Sequence, residues 1–370
     1  MKYIDEFRDR RLIDKVARRI RDTVDDGRAY NFMEVCGTHT MAIFRFGLRD
    51  ILPGNINLIS GPGCPVCVTP NEFIDKAIAL ARRKDIIIAT FGDLFKVPGS
   101  RSSLEKERSR GRVIKMVYSS IDALDLAKKY ADKEVVFLGV GFETTAPTVA
   151  QSIIAAGNAR IKNYSVLCGH KTMPEALKAL TEEPALEIDG FLLPGHVSAI
   201  IGVEPYGFLP ERLKRCVITG FEPLDIVQAI LMLLEQKSPK CEIQYTRIIN
   251  KNGNVLARRA MMKVFEKASS AWRGIGEIRN SGLKIKKEFS DFDAESKFSP
   301  EIAHVKVNKA CICGDVIKGI KTPLDCGLFG RKCNPEHPVG ACMVASEGTC
   351  AAYYKFRGQG TGCRVQKKHE

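Results

Sequence analysis

Short apolar runs alternate with stretches of helical spacing over residues 31–235, and this alternation is the dominant pattern of the chain. Apolar runs of four to eight residues are typical of buried strands, whereas apolar positions three and four residues apart are typical of helices. The predicted strands are 32–35, 56–60, 86–90, 113–118, 135–140, 165–168, 190–193 and 216–219. The predicted helices between them are 71–83, 121–131, 146–156, 174–181 and 223–235. This order predicts an α/β fold with mainly parallel sheets.

The same patterns divide the chain into four segments. Apolar positions at helical spacing predict an N-terminal amphipathic helix within residues 1–30. A polar break near residue 130 separates two predicted α/β domains, 31–130 and 131–235. Their glycine-rich segments all follow strands, so we expect the two sheets to face a shared central cleft. Residues 236–370 are polar and basic and form a predicted C-terminal domain, in which Asn252-Gly253 predicts a β-hairpin.

Composition narrows the class of protein. Of the 370 residues, 45% are hydrophobic and 27% are charged, which is typical of soluble proteins. No apolar run approaches the roughly 18 residues that a membrane-spanning helix needs, and the first twenty residues are too charged for a signal peptide. We therefore expect a cytoplasmic protein with no membrane partner.

The positive charge of the chain is concentrated at its C-terminal end. Residues 236–370 contain 25 basic and 13 acidic side chains and carry a net charge of +12, whereas residues 1–235 carry +2. Such a segment favours an acidic partner protein, an anionic substrate or nucleic acid. Nucleic acid is the least favoured of these, because the chain has no arginine-rich tract and only one Trp.

Thirteen cysteines need an explanation in a reducing compartment, where clustered thiols are typically metal ligands or redox groups. Six of them lie within forty residues: Cys311, Cys313, Cys326, Cys333, Cys342 and Cys350. This number is larger than the four ligands of one tetrahedral zinc ion. An iron–sulfur cluster takes four cysteines, and the remaining two would then form a redox-active dithiol. Structural zinc is the alternative.

Two further motifs with cysteines follow predicted strands. In CGTHT, Cys36 and His39 are three residues apart, so they can converge on one metal ion, or the imidazole can lower the pKa of the thiol. In GPGCPVC, Cys64 and Cys67 form a C-x-x-C pair that is typical of a redox dithiol or half of a metal site. The alternatives are a structural turn at Cys36 and an incidental cysteine pair at Cys64 and Cys67.

Two other motifs carry acid–base candidates. Glu143 lies in GFETTAP, which departs from a dinucleotide-binding fingerprint because Thr144 stands in place of the third glycine. Glu143 is a candidate base, ligand or hydrogen-bond acceptor, and helix capping is the alternative. His196 in PGHVS also follows a strand, and a structural histidine is the alternative there. All of these motifs follow strands, which places them near one cleft.

Taken together, CGTHT, GPGCPVC, GFETTAP, PGHVSAIIG and the segment from Cys311 to Cys350 resemble the hydrogenase maturation factor HypD family. The motifs are long and occur in the family's order from about residue 30 to residue 357. The resemblance implies a scaffold that works with a small partner, HypC, to build the Fe(CN)2CO unit of NiFe hydrogenases. It also implies that a second protein, HypE, supplies cyanide as a thiocyanate.

The resemblance also implies roles for particular residues. Cys36 would bind the iron of the Fe(CN)2CO unit with His39 beside it, and Cys64 and Cys67 would be the dithiol of the cleft. The C-terminal domain would hold a 4Fe-4S cluster through Cys311, Cys326, Cys333 and Cys350, with Cys313 and Cys342 as a redox-active disulfide. The protein would thus be a redox-active assembly scaffold, with enzymatic turnover left open.

Two other functions compete with this one. A stand-alone iron–sulfur thiol-disulfide reductase, similar to ferredoxin:thioredoxin reductase, would use Cys64 and Cys67 but would not need Cys36 and His39. A zinc-stabilised nucleic-acid-binding protein would use the basic C-terminal segment and would bind no iron.

Overall fold

The computed structural model describes residues 2, 4–302 and 308–357. Cys363 and the rest of the predicted C-terminal domain beyond residue 357 lie outside these residues. The strands are β1 Tyr30–Glu34, β2 Ile56–Ser60, β3 Ile86–Thr90, β4 Ile114–Met116, β5 Glu134–Gly139, β6 Tyr164–Cys168, β7 Gly190–Pro194, β8 Arg215–Thr219, β9 Cys241–Ile243, β10 Phe265–Trp272 and β11 Gly276–Ile285.

Two parallel sheets form the centre of the protein, which confirms the predicted α/β fold. The first has the strand order β2-β1-β7-β8-β9 and the second has the order β4-β3-β5-β6. All neighbouring strands within these two sheets run parallel. Parallel sheets need a crossover between consecutive strands, which explains the strand–helix alternation of the sequence.

The strands are not grouped as the predicted boundary at residue 130 would group them. The first sheet combines β1 and β2 with β7, β8 and β9, whereas β3 to β6 form the second sheet. The segment 86–168 thus contains all four strands of the second sheet, and in the sequence it lies between strands β1–β2 and strands β7–β9 of the first sheet. Strand β1 is an interior strand, because it pairs with β2 on one side and with β7 on the other. Hydrophobic patterning does not encode which strands pair, so this arrangement was absent from the prediction.

Helices surround both sheets. They are α1 Arg10–Thr23, α2 Gly37–Arg45, α3 Leu48–Ile51, α4 Pro65–Val68, α5 Asn71–Arg82, α6 Gly92–Phe95, α7 Leu104–Ser109, α8 Ser120–Lys129, α9 Ala146–Asn158, α10 Met173–Thr181, α11 Gly195–Ile201, α12 Phe208–Glu211, α13 Pro223–Glu235, α14 Val255–Val264, α15 Ala294–Phe298, α16 Cys313–Lys318, α17 Ala341–Val344 and α18 Thr349–Lys355. Short 3-10 helices occur at Asp5–Arg8, Glu204–Tyr206, Lys287–Phe292 and Pro323–Asp325. The predicted amphipathic helix is α1, which buries Ile13, Ala17 and Ile20.

The predicted hairpin at Asn252-Gly253 is wrong. Gly253 lies in a turn with a positive φ of 65° that leads into α14, and the Asn254 side chain caps this helix by accepting a hydrogen bond from Ala257 N. The Asn-Gly pair therefore forms a turn, as predicted, but this turn leads into a helix and not into a second β-strand. The hairpin of this region is β10–β11, which is antiparallel and has a register shift between Ala268 and Ser270.

One buried cluster of apolar side chains connects the two sheets with the C-terminal segment. It includes Phe191 of the first sheet, Val136 of the second, Trp272 of the hairpin and Cys342 of the cysteine-rich segment. The cysteine-rich segment therefore packs against both sheets. Among the described residues, no helix is long and apolar enough to span a membrane.

Candidate functional site

Cys36 lies where β1 ends and α2 begins. Its backbone is extended, with φ −149° and ψ 123°, and it occupies the N-cap position of α2. The backbone N–H groups of Thr38 and His39 donate to the buried thiol. Burial, together with the negative charge of Glu347, nevertheless raises the pKa of Cys36 to about 12. The thiol is thus protonated at neutral pH and must lose this proton to bind a metal ion.

The loop that carries Cys64 packs directly on the backbone of Cys36. A Cβ atom at Gly63 would lie 2.2 Å from Cys36 N, and Gly37 N donates a hydrogen bond of 3.1 Å to Gly63 O. Only glycine permits such a close approach of two backbones. CGTHT and GPGCPVC therefore form one structural unit, although 24 residues separate Thr40 from Cys64 in the sequence.

Cys64 and Cys67 are joined by a disulfide, with Cα atoms 5.3 Å apart. Cys64 is the N-cap of the short helix α4, and Cys67 N donates to its sulfur at 3.2 Å. Both cysteines are buried. The structure therefore holds a buried disulfide beside Cys36, and the predicted redox function of GPGCPVC stays a prediction.

His39 and His196 lie on either side of Phe221. The ring centroids of His39 and Phe221 are 4.8 Å apart, and those of His196 and Phe221 are 4.0 Å apart, with both pairs stacked. His39 Nε2 is 3.0 Å from Gly220 O, so Nε2 carries the proton and Nδ1 is an acceptor. Nδ1 is buried and has no hydrogen-bond partner among the described residues. Burial lowers the pKa of His39 to about 4, so the imidazole is neutral at pH 7.

Glu143 follows strand β5 of the second sheet, whereas Cys36 follows strand β1 of the first sheet. Its Oε1 accepts a hydrogen bond of 3.0 Å from Met173 N at the start of α10. Oε2 is buried without a partner among the described residues. Burial raises the pKa of Glu143 to about 7. The contacts described above thus connect Cys36, His39, Cys64, Cys67 and His196, whereas the contact of Glu143 is with Met173 of α10.

Glu34, which the sequence analysis did not select, is buried directly beneath Cys36. Its Oε1 accepts from Thr40 Oγ1 at 2.5 Å, and its Oε2 accepts from Cys36 N at 3.3 Å. Burial raises the pKa of Glu34 to about 8, so the carboxyl group is mostly protonated at pH 7. Glu34 thus holds both ends of the CGTHT turn without adding a negative charge next to the thiol.

Glu347 of the cysteine-rich segment contacts the CGTHT turn. Thr38 Oγ1 donates to Glu347 Oε1 at 2.5 Å, and a Cβ atom at Gly37 would lie 2.5 Å from Glu347 Cβ. Burial raises the pKa of Glu347. Because Glu347 lies between Cys342 and Cys350 in the sequence, its contact places those cysteines near CGTHT.

The six cysteines of the C-terminal segment line one pocket. Its walls are otherwise mainly apolar and include Val316, Leu328, Phe329 and Met343. All six are free thiols: Cys311, Cys313, Cys326, Cys333, Cys342 and Cys350. No group of three or more His, Cys, Asp or Glu side chains within residues 2, 4–302 and 308–357 is arranged to hold a metal ion. The predicted iron–sulfur domain therefore stays a prediction, although its six thiols share one pocket.

Two thiol pairs form within this pocket. In each of the pairs Cys311–Cys313 and Cys342–Cys350, the neighbouring thiol is the largest cause that raises the pKa of one cysteine and lowers the pKa of the other. Cys350 N also donates to Cys342 Sγ at 3.2 Å. The predicted division into four cluster ligands and a Cys313–Cys342 pair therefore stays a prediction.

Comparison with known proteins gives a consistent result over nearly the whole chain. The family model HypD, described as "Hydrogenase formation hypA family", matches residues 11–357. The chain belongs to the HypD family. Hydrogenase maturation factor HypD2 of Bradyrhizobium diazoefficiens is 48% identical over 368 residues, which cover 96% of this chain and 97% of the relative. The HypD proteins of Rhizobium leguminosarum bv. viciae and Escherichia coli K12 are 46% and 42% identical, with coverage of at least 96% of each chain.

Sequence analysis of this HypD-family chain missed Glu34, Phe221 and Glu347. Glu34 was treated as part of the predicted strand 32–35. Glu347 was not selected because the motif around it was interpreted from its cysteines alone. Phe221 follows the predicted strand 216–219, in the same position relative to its strand as the selected motifs. This position at a strand end is the signal that would have found Phe221.

Substitution of Gly63 tests the close packing beneath Cys36. We expect Gly63→Ala to lower the free energy of unfolding by about 1–3 kcal/mol, because its Cβ would overlap the Cys36 backbone. Denaturant unfolding measures this effect. Gly54→Ala is the control, because a Cβ there meets nothing within 4 Å and its effect should stay within about 0.5 kcal/mol. Equal losses in both variants would contradict the packing argument.

The pH dependence of stability tests the protonated state of Glu34. Its pKa of about 8 in the folded chain exceeds the ordinary value of 4.5, so its stabilising contribution is complete below pH 4.5 and is lost as the pH rises towards 8. Glu34→Gln should therefore gain stability relative to the unsubstituted protein over this range, by at most about 1.4 kcal/mol per pH unit. Unfolding measured from pH 5 to 8 checks this. The exposed Glu187→Gln is the control, and a stability difference between Glu34→Gln and the unsubstituted protein that stays constant from pH 5 to 8 would contradict the assignment.

Proposed function

We propose that this HypD-family chain is a hydrogenase maturation scaffold that assembles the Fe(CN)2CO unit of NiFe hydrogenases. In this proposal it works in the cytoplasm with HypC and receives cyanide from HypE. The observation that carries the proposal is the convergence of one free thiol, one disulfide and two histidines: Cys36, Cys64–Cys67, His39 and His196. The relatives are named hydrogenase maturation factors, which supports our assignment of this chain to hydrogenase maturation.

Cys36 is the residue that would bind the iron of the incoming unit. A soft thiolate is a suitable ligand for low-spin iron that carries cyanide and CO. The N–H groups of Thr38 and His39 already donate to the sulfur, and they would stabilise the thiolate once the metal displaces the proton.

Cys64 and Cys67 would carry the two electrons that cyanide release requires. A reduced pair can react with a thiocyanate as RSCN + 2 R′SH → RSH + HCN + R′SSR′. In this step the S–CN bond breaks, an S–S bond forms, and the two thiol protons pass to the leaving thiol and to cyanide. The buried disulfide of the structure corresponds to the oxidised product of this step. It must then be reduced again, which requires an electron source nearby.

The cysteine-rich pocket is the candidate for that source. Thiolates in an apolar pocket are the donor set that iron–sulfur clusters use, and a 4Fe-4S cluster needs four of them on four different irons. We assign Cys311, Cys326, Cys333 and Cys350 as its ligands and Cys313 with Cys342 as a redox-active pair. When bound, such a cluster supplies single electrons. Cys342 belongs to the same buried cluster of side chains as Cys64 and Cys67, which favours exchange between the two sites.

A stand-alone thiol-disulfide reductase is the second candidate. The Cys64–Cys67 disulfide next to a pocket of six thiols favours it. The two functions differ at Cys36, which a reductase does not need. Reduction of an external disulfide that is unaffected by Cys36→Ala, without any cyanide or CO on the isolated complex, would favour the reductase.

Substitution of Cys36 tests the scaffold. Cys36→Ala should fold, keep its iron–sulfur content and lose the cyanide and CO stretching bands of the complex purified with HypC, because the iron has lost its thiolate. Infrared spectroscopy of the complex is the measurement. Cys241→Ala, which removes a half-buried free thiol of β9, is the control and should keep the bands. Bands that persist in Cys36→Ala would refute the assignment. His39→Ala should weaken them less than Cys36→Ala does.

Single serine substitutions test the division of the six cysteines. Cys313→Ser and Cys342→Ser should keep the broad absorbance of the cluster near ~400 nm but stop reduction of Cys64–Cys67, since they remove only the proposed dithiol. Serine at Cys311, Cys326, Cys333 or Cys350 should remove iron and sulfide and destabilise the segment. Iron and sulfide analysis with thiol trapping measures both. A stable cluster in Cys350→Ser together with its loss in Cys342→Ser would show that these two roles are exchanged.

A further inference from the structure

Arg273 connects the hairpin β10–β11 to the helix that carries Cys67. Arg273 N donates to Val68 O at 2.8 Å, and Arg273 Nε donates to Thr69 O at 2.9 Å. Nη1 donates to Asn71 Oδ1. These bonds meet carbonyl groups at the end of α4, so the guanidinium is fixed directly behind the Cys64–Cys67 pair.

The tip of the hairpin also touches the cysteine-rich segment. A Cβ atom at Gly274 would lie 2.1 Å from Gly314 Cα, and Gly274 has a positive φ of 78°. Gly314 follows Cys313 in the first turn of α16. The residue next to Arg273 is therefore in backbone contact with the residue next to Cys313, which fixes the distance between the guanidinium and the pocket of six thiols.

One nitrogen of the Arg273 guanidinium is left without a partner among the described residues. Nη2 is buried and has no hydrogen-bond partner among the described residues. Burial lowers the pKa of Arg273, and the thiols of Cys313, Cys311 and Cys342 oppose this effect. Arg273 also lines a cleft together with Cys311 and Cys313. A buried cation with an unsatisfied donor is costly unless an anion or acceptor lies next to it.

We propose that Arg273 is a potential-setting residue that favours the reduced state of the cysteine-rich pocket and holds the pocket in register with Cys64–Cys67. The inference rests on the proposed 4Fe-4S cluster. Reduction adds negative charge to the pocket, and a fixed cation beside it stabilises that charge, since charge and hydrogen bonds to sulfur set the potentials of such clusters. The bonds from the guanidinium to Thr69 and Asn71, together with the bond from the Arg273 backbone N–H to Val68 O, prevent the guanidinium from moving away when the charge changes.

The test is the midpoint potential of the cluster in full-length protein purified without oxygen. Arg273→Met removes the charge at similar side-chain length, Arg273→Gln removes the charge but keeps a donor, and Arg273→Lys keeps the charge. We expect Met and Gln to disfavour reduction at least tenfold, which is about 59 mV for one electron, and Lys to shift it less. Arg279→Met removes an exposed charge from the same hairpin and should leave the potential unchanged.

The outcomes separate this inference from the proposed function. Iron and sulfide are measured first in every protein. Unsubstituted protein without iron and sulfide would overturn the cluster and this inference together. A full cluster with the same potential in Arg273→Met, or in Arg273→Gln if the Met variant does not fold, would overturn the role of Arg273 alone. A shift of equal size in Arg279→Met would do the same, because the effect would then be one of overall charge.

Discussion

Close backbone contact between three loops holds the candidate site together. The GPGC loop meets Cys36 through Gly63, and the loop between Cys342 and Cys350 meets Gly37 through Glu347. In each contact a Cβ on the glycine would overlap an atom of the neighbouring loop. Side chains of ordinary size would separate the loops by several ångströms, and the thiol, the disulfide and the cysteine-rich segment would no longer adjoin.

Within this packing, burial keeps titratable groups uncharged. Burial raises the pKa of Glu34 to about 8 and lowers that of His39 to about 4, so both are mainly neutral at pH 7. Cys36 is also protonated, because burial and Glu347 raise its pKa. A neutral site avoids the desolvation cost of buried ions, and metal binding then replaces one proton by a cation.

The C-terminal half of the chain supplies two walls of the site. Helix α18 packs on α2, where Tyr353 lies edge-on to Phe44 with ring centroids 4.5 Å apart, and Arg49 Nη1 donates to Tyr353 OH at 3.1 Å. Opposite, the hairpin buries Trp272, which stacks on Phe142 at 5.9 Å. The segment that sequence analysis described only as polar and basic thus contributes the largest buried side chain of the described residues.

The sequence by itself determined the parallel α/β architecture and most residues of the site, because strand periodicity and glycine-rich motifs at strand ends are local signals. Cys36, His39, Cys64, Cys67 and His196 were all selected in this way, and their roles stay predictions. Only the tertiary structure decided which strands pair, that Asn254 caps a helix, and which distant groups reach the site. Thr38 and Glu347 are 309 residues apart in sequence, and His39 and Gly220 are 181 apart. Contacts of this kind depend on packing between elements, which leaves no periodic signature in a single sequence.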